Sequence, residues 1–233
     1  MGKLADAIRD RRKGGQRRLG FGASVEQRQP SMLVGAVGLV DGADFCLATD
    51  DELMSQIASS EIALWGVRVD PLTADGVDRA KEEGASFVAF TIDGARADAL
   101  LDEDLDYVVR LTELRLEESD ARALASLRPA EVAAPVEFPV SVETILQLRR
   151  LALLTAAPIG VRCPSDVSDG DLQALRDSGV AVVALGPEAT ADELSSLKER
   201  IADLPERNTR GDSDTQPLIP TLRAGGEGAT DDE

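Results

Sequence analysis

The chain has 233 residues, with 25 Lys and Arg against 43 Asp and Glu, no His, and a net charge of −18. Hydrophobic residues make up 43% of it and aromatic ones only 3%, so its core must be built from Ala, Val, Leu and Ile. The absence of His excludes a His-based triad, an imidazole general base and a His-ligated metal. The acidic balance argues against nucleic acid as a partner, because phosphates would be repelled.

Residues 1–22 hold seven basic residues against two acidic ones, which makes this segment +5 and the rest of the chain −23. Within it Leu4, Ala5, Ala7 and Ile8 stand at helical spacing, and Gly14-Gly15 stops the helix. The segment is too charged for a secretory signal. No apolar run approaches the ~20 residues of a membrane helix, and the apolar face of the arm is too small for stable membrane insertion. A cytoplasmic protein is the expectation. The basic arm is expected to bind an acidic protein partner or the acidic body of its own chain, self-docking being the simpler outcome. Gly20 to Pro30 reads as a loop, so residues 1–30 form a basic N-terminal helix and loop.

The region 31–204 is regular. Continuous apolar runs of strand length recur at Met32–Val40, Phe45–Thr49, Ile62–Val69, Phe87–Ile92, Tyr107–Thr112, Val132–Phe138, Ile159–Cys163 and Val180–Leu185. Continuous rather than alternating runs are what strands covered on both faces of a parallel sheet require. Helical patterns lie at 73–83, Ser141 to Leu154, Ser168 to Asp177 and Thr190 to Ile201. Gly84 and Gly179 follow two of them and lead directly into apolar runs, as helix-terminating glycines do. From about Pro205 apolar periodicity ends, and residues 205–233 read as a disordered acidic tail. Within that tail lies one apolar island, Pro217-Leu218-Ile219-Pro220-Thr221-Leu222, a candidate protein-recognition segment.

Eight strands with interleaved helices give an α/β chain that resembles a compact, degenerate (β/α)8 or TIM-like barrel. The first outer helix is missing, because Asp41-Gly42-Ala43-Asp44 is too short for a crossover helix. The alternative is an open, mostly parallel α/β sheet in which the first two strands form a hairpin.

Barrels of this kind place functional groups at the C-terminal ends of strands. An apolar–Arg–apolar triplet recurs at three such ends: Val67-Arg68-Val69, Val109-Arg110-Leu111 and Val161-Arg162-Cys163. These are strands three, five and seven, and alternate strands contribute to one interior layer. Arg68, Arg110 and Arg162, together with Glu137, are therefore candidates for an anion pocket, since guanidinium forks grip phosphate or carboxylate. The competing reading is an internal ion-pair network, in which replacing Arg110 by Met would cost roughly 3–5 kcal/mol. Asp70, Asp93 and Glu113, again with Glu137, are candidates for Mg²⁺; alternatively, strand-end Asp residues such as Asp50 and Asp70 cap the following helices. Loops Pro164–Ser168 and Gly186–Thr190 look poor for backbone capture of phosphate, because Asp166 and Glu188 are acidic and Pro187 lacks an N–H. Cys163 beside Arg162 is either an activated thiol or a buried inert one.

Lys81 and Lys198 fall on predicted helices, so no Schiff-base lysine stands at a strand end. Missing His, missing strand-end Lys and a clipped helical ring favour a non-catalytic scaffold or interaction module. The alternative is a Mg²⁺-assisted lyase or isomerase acting on a small phosphate- or carboxylate-bearing substrate at the C-terminal mouth.

Overall fold

The computed structural model describes residues 2–14 and 31–205. The loop expected within 15–30 and the tail from 206 onward lie outside the described residues. Eight strands follow in order: β1 (Leu33–Val37), β2 (Cys46–Ala48), β3 (Trp65–Arg68), β4 (Phe87–Thr91), β5 (Asp106–Arg110), β6 (Glu131–Ala134), β7 (Ile159–Arg162) and β8 (Val180–Leu185). Each pairs in parallel with its neighbours, and β8 pairs with β1, so the sheet closes into a barrel. The open-sheet alternative is overturned, because β1 and β2 are parallel rather than a hairpin.

Six helices surround the barrel: α2 (Asp51–Ala58), α3 (Ala74–Glu82), α4 (Glu118–Ser126), α5 (Val142–Thr155), α6 (Asp169–Asp177) and α7 (Ala191–Asp203). Local chemistry sets their starts. Asp50, Thr73, Ser141, Ser168 and Thr190 each accept a backbone N–H of the first turn, and Thr190 with Glu193 completes a capping box. Gly84 and Gly179 take φ of +87° and +103° where α3 and α6 turn into the next strand. The outer ring lacks two helices among the described residues. No helix joins β1 to β2, and a 3₁₀ turn over Ala97–Leu100 replaces the one between β4 and β5.

The β1–β2 connection survives without a helix because Asp44 straps it down. The Asp44 N–H donates to the Val34 carbonyl at 2.8 Å, and the Asp44 carboxylate accepts the Val34 N–H at 2.9 Å. The same carboxylate pairs with Arg11 at 2.9 Å and Lys198 at 2.5 Å.

Two cores result. The larger lies between barrel and helices and includes Val34, Val67, Val88, Val109, Val132 and Ile159. The smaller fills the lower barrel with Leu33, Phe45, Phe87, Val108 and Val182, and joins them to Leu4 and Ile8 of α1 (Lys3–Gly14). Helix α1 thus plugs the N-terminal end of the barrel, with Leu4 and Ile8 0% and 1% exposed. Asp106 caps it from β5, accepting the N–H groups of Leu4 and Ala5 at 2.8 and 3.1 Å. The described part of the basic arm, α1, docks on its own chain, through apolar burial and the Arg11–Asp44 pair together.

Candidate functional site at the C-terminal mouth

Strand alternation and register decide which side chains face inward. Phe45, Phe87 and Val108 pack in the interior with α1. Small residues make room for them: a Cβ at Gly35 would strike the Phe45 ring at 2.3 Å, and one at Gly66 would strike the Phe87 ring at 2.4 Å. Two residues on from Gly66, Val108 and Gly160, along the same inward face, stand Arg68, Arg110 and Arg162. They are paired in register with Ala89, Ala133 and Ala184. The three arginines therefore form one layer at the rim of the barrel.

That layer is electrostatically divided. On the β3–β5 side, Asp70 is enclosed by cations and donors. Its carboxylate meets Arg110 Nη1 at 2.5 Å and Arg68 Nε at 3.7 Å, and accepts the Thr91 N–H and hydroxyl at 2.7 and 3.1 Å. Asp70 does not cap α3, which Thr73 does, whereas Asp50 does cap α2. The Arg110–Asp70 pair is about a third exposed, so the cost expected for breaking a fully buried pair does not apply to it. On the β7 side, Arg162 has no carboxylate within ion-pair distance among the described residues.

Arg162 instead lines a cavity of about 460 Å³ with Val136, Phe138, Ser165, Gly186 and Glu188. A Cβ at Gly186 would meet nothing within 4 Å, which leaves the backbone there approachable. The two loops that looked poor for phosphate thus wall the cavity, with the guanidinium rather than backbone amides as its cation. The α7 N-terminus is closed by its own Glu193, whose carboxylate accepts from Thr190 N–H and hydroxyl at 2.9 and 3.1 Å. Those bonds, the backbone one foremost, hold its carboxyl below the usual range.

Below the rim the barrel narrows onto small side chains. Leu47, Ala133 and Ala184 face inward yet stay half-buried, and with α1 sealing the other end they are reached from the mouth. Two residues before Ala133, on the same face, lies Glu131, 6% exposed. Its carboxyl occupies the notch left by Gly160, where a Cβ would fall 1.8 Å from Oε1. Among the described residues no cation or donor pairs with it. Burial pushes its carboxyl up to about 8, so at neutral pH it carries a proton. Sequence reasoning missed Glu131, because the apolar run begins one residue later. The available signal was its i−2 relation to Ala133 beside Gly160 on the next strand.

The remaining candidates are not brought together. Asp93, Glu113 and Glu137 are exposed on the loops after β4, β5 and β6. Among the described residues no ion pair joins Glu137 to an arginine. Nor does any group of three or more acidic or thiol side chains gather closely enough to hold a metal. Of the Mg²⁺ candidates, Asp70 is turned into the arginine pair, and Asp93 and Glu113 stand on separate loops. Burial pushes the Cys163 thiol up to about 11, which makes it an inert thiol rather than an activated one.

No family model matches the sequence, and no curated protein matches it. Solved structures do match in shape. Tryptophan synthase from M. tuberculosis aligns with a TM-score of 0.62 at 12% identity, over 87% of this chain and 98% of that one. 3-Keto-L-gulonate-6-phosphate decarboxylase from Vibrio cholerae aligns at 0.60 and 12%, over 76% and 99%. 3-Hexulose-6-phosphate synthase aligns at 0.53 and 13%, over 72% and 99%. The fold is that of a TIM barrel. At such identities the likeness is one of fold. It nevertheless overturns the expectation of a non-catalytic scaffold, because the similar barrels are a decarboxylase and synthases. The enzyme alternative is the one they favour. No helix among the described residues is long and apolar enough to cross a membrane.

Proposed function

We propose that this TIM barrel is an enzyme of the lyase or isomerase type, acting at its C-terminal mouth on a small phosphate- or carboxylate-bearing substrate. The observation that carries the reading is Arg162: a guanidinium with no carboxylate at ion-pair distance among the described residues, on the wall of a cavity of about 460 Å³ at the mouth. A cation of this kind anchors an anionic group bidentately. Two of the similar barrels carry a sugar 6-phosphate in their names, which agrees with phosphate as the anchor.

With its anion at Arg162, a small substrate extends its uncharged end toward Ala133 and Ala184. Beneath them Glu131 is the proton-carrying group of the interior, and a carboxyl raised toward neutrality by burial can both give and take a proton near pH 7. Isomerisation next to a carbonyl removes a proton from one carbon and returns one to a neighbouring atom, and a single carboxyl balances that exchange. On the opposite rim Asp70 engages both Arg110 and Arg68, which leaves Arg162 as the rim guanidinium open to an anion.

The test is isotope exchange. A panel of triose, pentose and hexose phosphates is incubated with the protein in D₂O and followed by proton NMR. Deuterium is expected to enter at the carbon beside the carbonyl of at least one member, and Glu131→Gln and Arg162→Ala are each expected to slow this at least ~100-fold. No exchange with any member, or exchange that both variants leave intact, would contradict the reading.

A further inference from the structure

Helix α5 carries an apolar stripe that the barrel does not use. Its inner face is buried through Leu148, Leu151 and Thr155. Val142, Leu146 and Leu153 project the other way and are 77%, 61% and 81% exposed. With Arg149 they follow i, i+4, i+7 and i+11, which is one helix face, and exposed Arg150 stands beside it. An aligned apolar stripe marks an interaction surface more than scattered apolar residues do. Arg149 on the stripe is also out of character for a chain of net charge −18, while Arg150 beside it faces Glu118 at 3.7 Å.

The described chain ends against α6. After α7 it passes Leu204 to Pro205, whose carbonyl accepts a hydrogen bond from Arg176 of α6 at 2.6 Å. Just beyond α6, Gly179 lies against α5, where a Cβ would stand 3.5 Å from that of Ala152. The last described residue thus lies on α6, the helix whose C-terminal end abuts α5. From there residues 206–216 are free of large apolar side chains, and Pro217-Leu218-Ile219-Pro220-Thr221-Leu222 follow. The link can span roughly 40 Å, while α5 is only about 21 Å long. Residues 223–233 carry Glu227, Asp231, Asp232 and Glu233 against Arg223, opposite in sign to Arg149 and Arg150.

We propose that Pro217–Leu222 of the same molecule docks on the α5 stripe of Val142, Leu146 and Leu153, with the acidic chain end against Arg149 and Arg150. Tethering makes the encounter intramolecular, so the modest apolar area of the stripe suffices. The docking face lies on the outside of the barrel, away from the mouth, and is independent of the function proposed there.

Two measurements on the full chain decide this. In the double variant Leu153→Cys with Leu222→Cys, mild oxidation is expected to give a disulfide within one monomer; the native Cys46 and Cys163 are buried and do not compete. Cross-linked dimers would replace the proposal by docking from a second copy, and no cross-link at all would overturn it. Hydrogen exchange covers the case in which the cysteines perturb the face. In the triple variant Leu218→Asp, Ile219→Asp and Leu222→Asp, α5 amides are expected to exchange several-fold faster than in the wild type. Unchanged α5 exchange would overturn the proposal even where the barrel is intact.

Discussion

The two ends of this barrel are built to opposite rules. At the N-terminal end, α1 fills the opening with Leu4 and Ile8, Asp106 caps the helix, and Asp44 binds Arg11, Lys198 and β1 at once. Toward the C-terminal end the inward positions fall to Ala133 and Ala184, Arg162 stands at the rim with no acidic partner among the described residues, and beneath them the buried Glu131 carboxyl has none either. Groups that are fully packed and paired stabilise a fold, whereas cations and acids left unmatched cost stability and are kept where a ligand is to supply the match. The difference assigns stability to one end and, under the proposed function, recognition to the other.

The largest expected effect breaks the closed end. Ile8→Asp places a charge among Leu33, Val108 and Val182 and is expected to destabilise by about 4 kcal/mol, read from a denaturant melt. A loss below ~1 kcal/mol would mean that α1 is not part of the folded unit. Next comes the floor of the open end. The Glu131 carboxyl titrates near 4.5 when unfolded and about 8 when folded. Between those values the native state holds the extra proton, so stability falls as pH rises through that window. Glu131→Gln removes the slope and is expected to be more stable than wild type at pH 8 by a few kcal/mol. Parallel stability–pH curves for the two proteins would contradict the buried acid. Smaller still is Arg110→Met, expected to cost about 1 kcal/mol or less because the Asp70 pair is a third exposed. A loss of several kcal/mol would show that the rim network is structural in the same sense as the Asp44 knot.

Much of the fold was legible in the sequence because both its faces are covered. Each strand reads as a continuous apolar run, and the run Val180–Leu185 coincides with β8 itself. The runs overshoot elsewhere: β1 stops at Val37 although Val40 is also buried, because loop residues pack against the same core. Helices α2 and α4 were not legible, because neither is followed by the terminating glycine that marks the ends of α3 and α6. At the site, the arginine triplets were visible as a repeat, but their unequal pairing was not. Which arginine Asp70 takes depends on the β3–β4–β5 registers, and no local pattern encodes them. Glu131 escaped notice because a charged residue beside an apolar run reads as its boundary, and only the neighbouring strand reveals the glycine notch that admits it.

The division between the two ends is tested most directly by melting wild type, Ile8→Ala and Arg162→Ala with and without inorganic phosphate. Ile8→Ala is expected to melt well below wild type, reflecting a core loss of about 2–5 kcal/mol, and to retain the rise in Tm that phosphate produces. Arg162→Ala is expected to melt with the wild type and to lose that rise. A phosphate-induced rise in Arg162→Ala equal to that of the wild type would contradict the account, and so would a wild type whose Tm phosphate leaves unchanged.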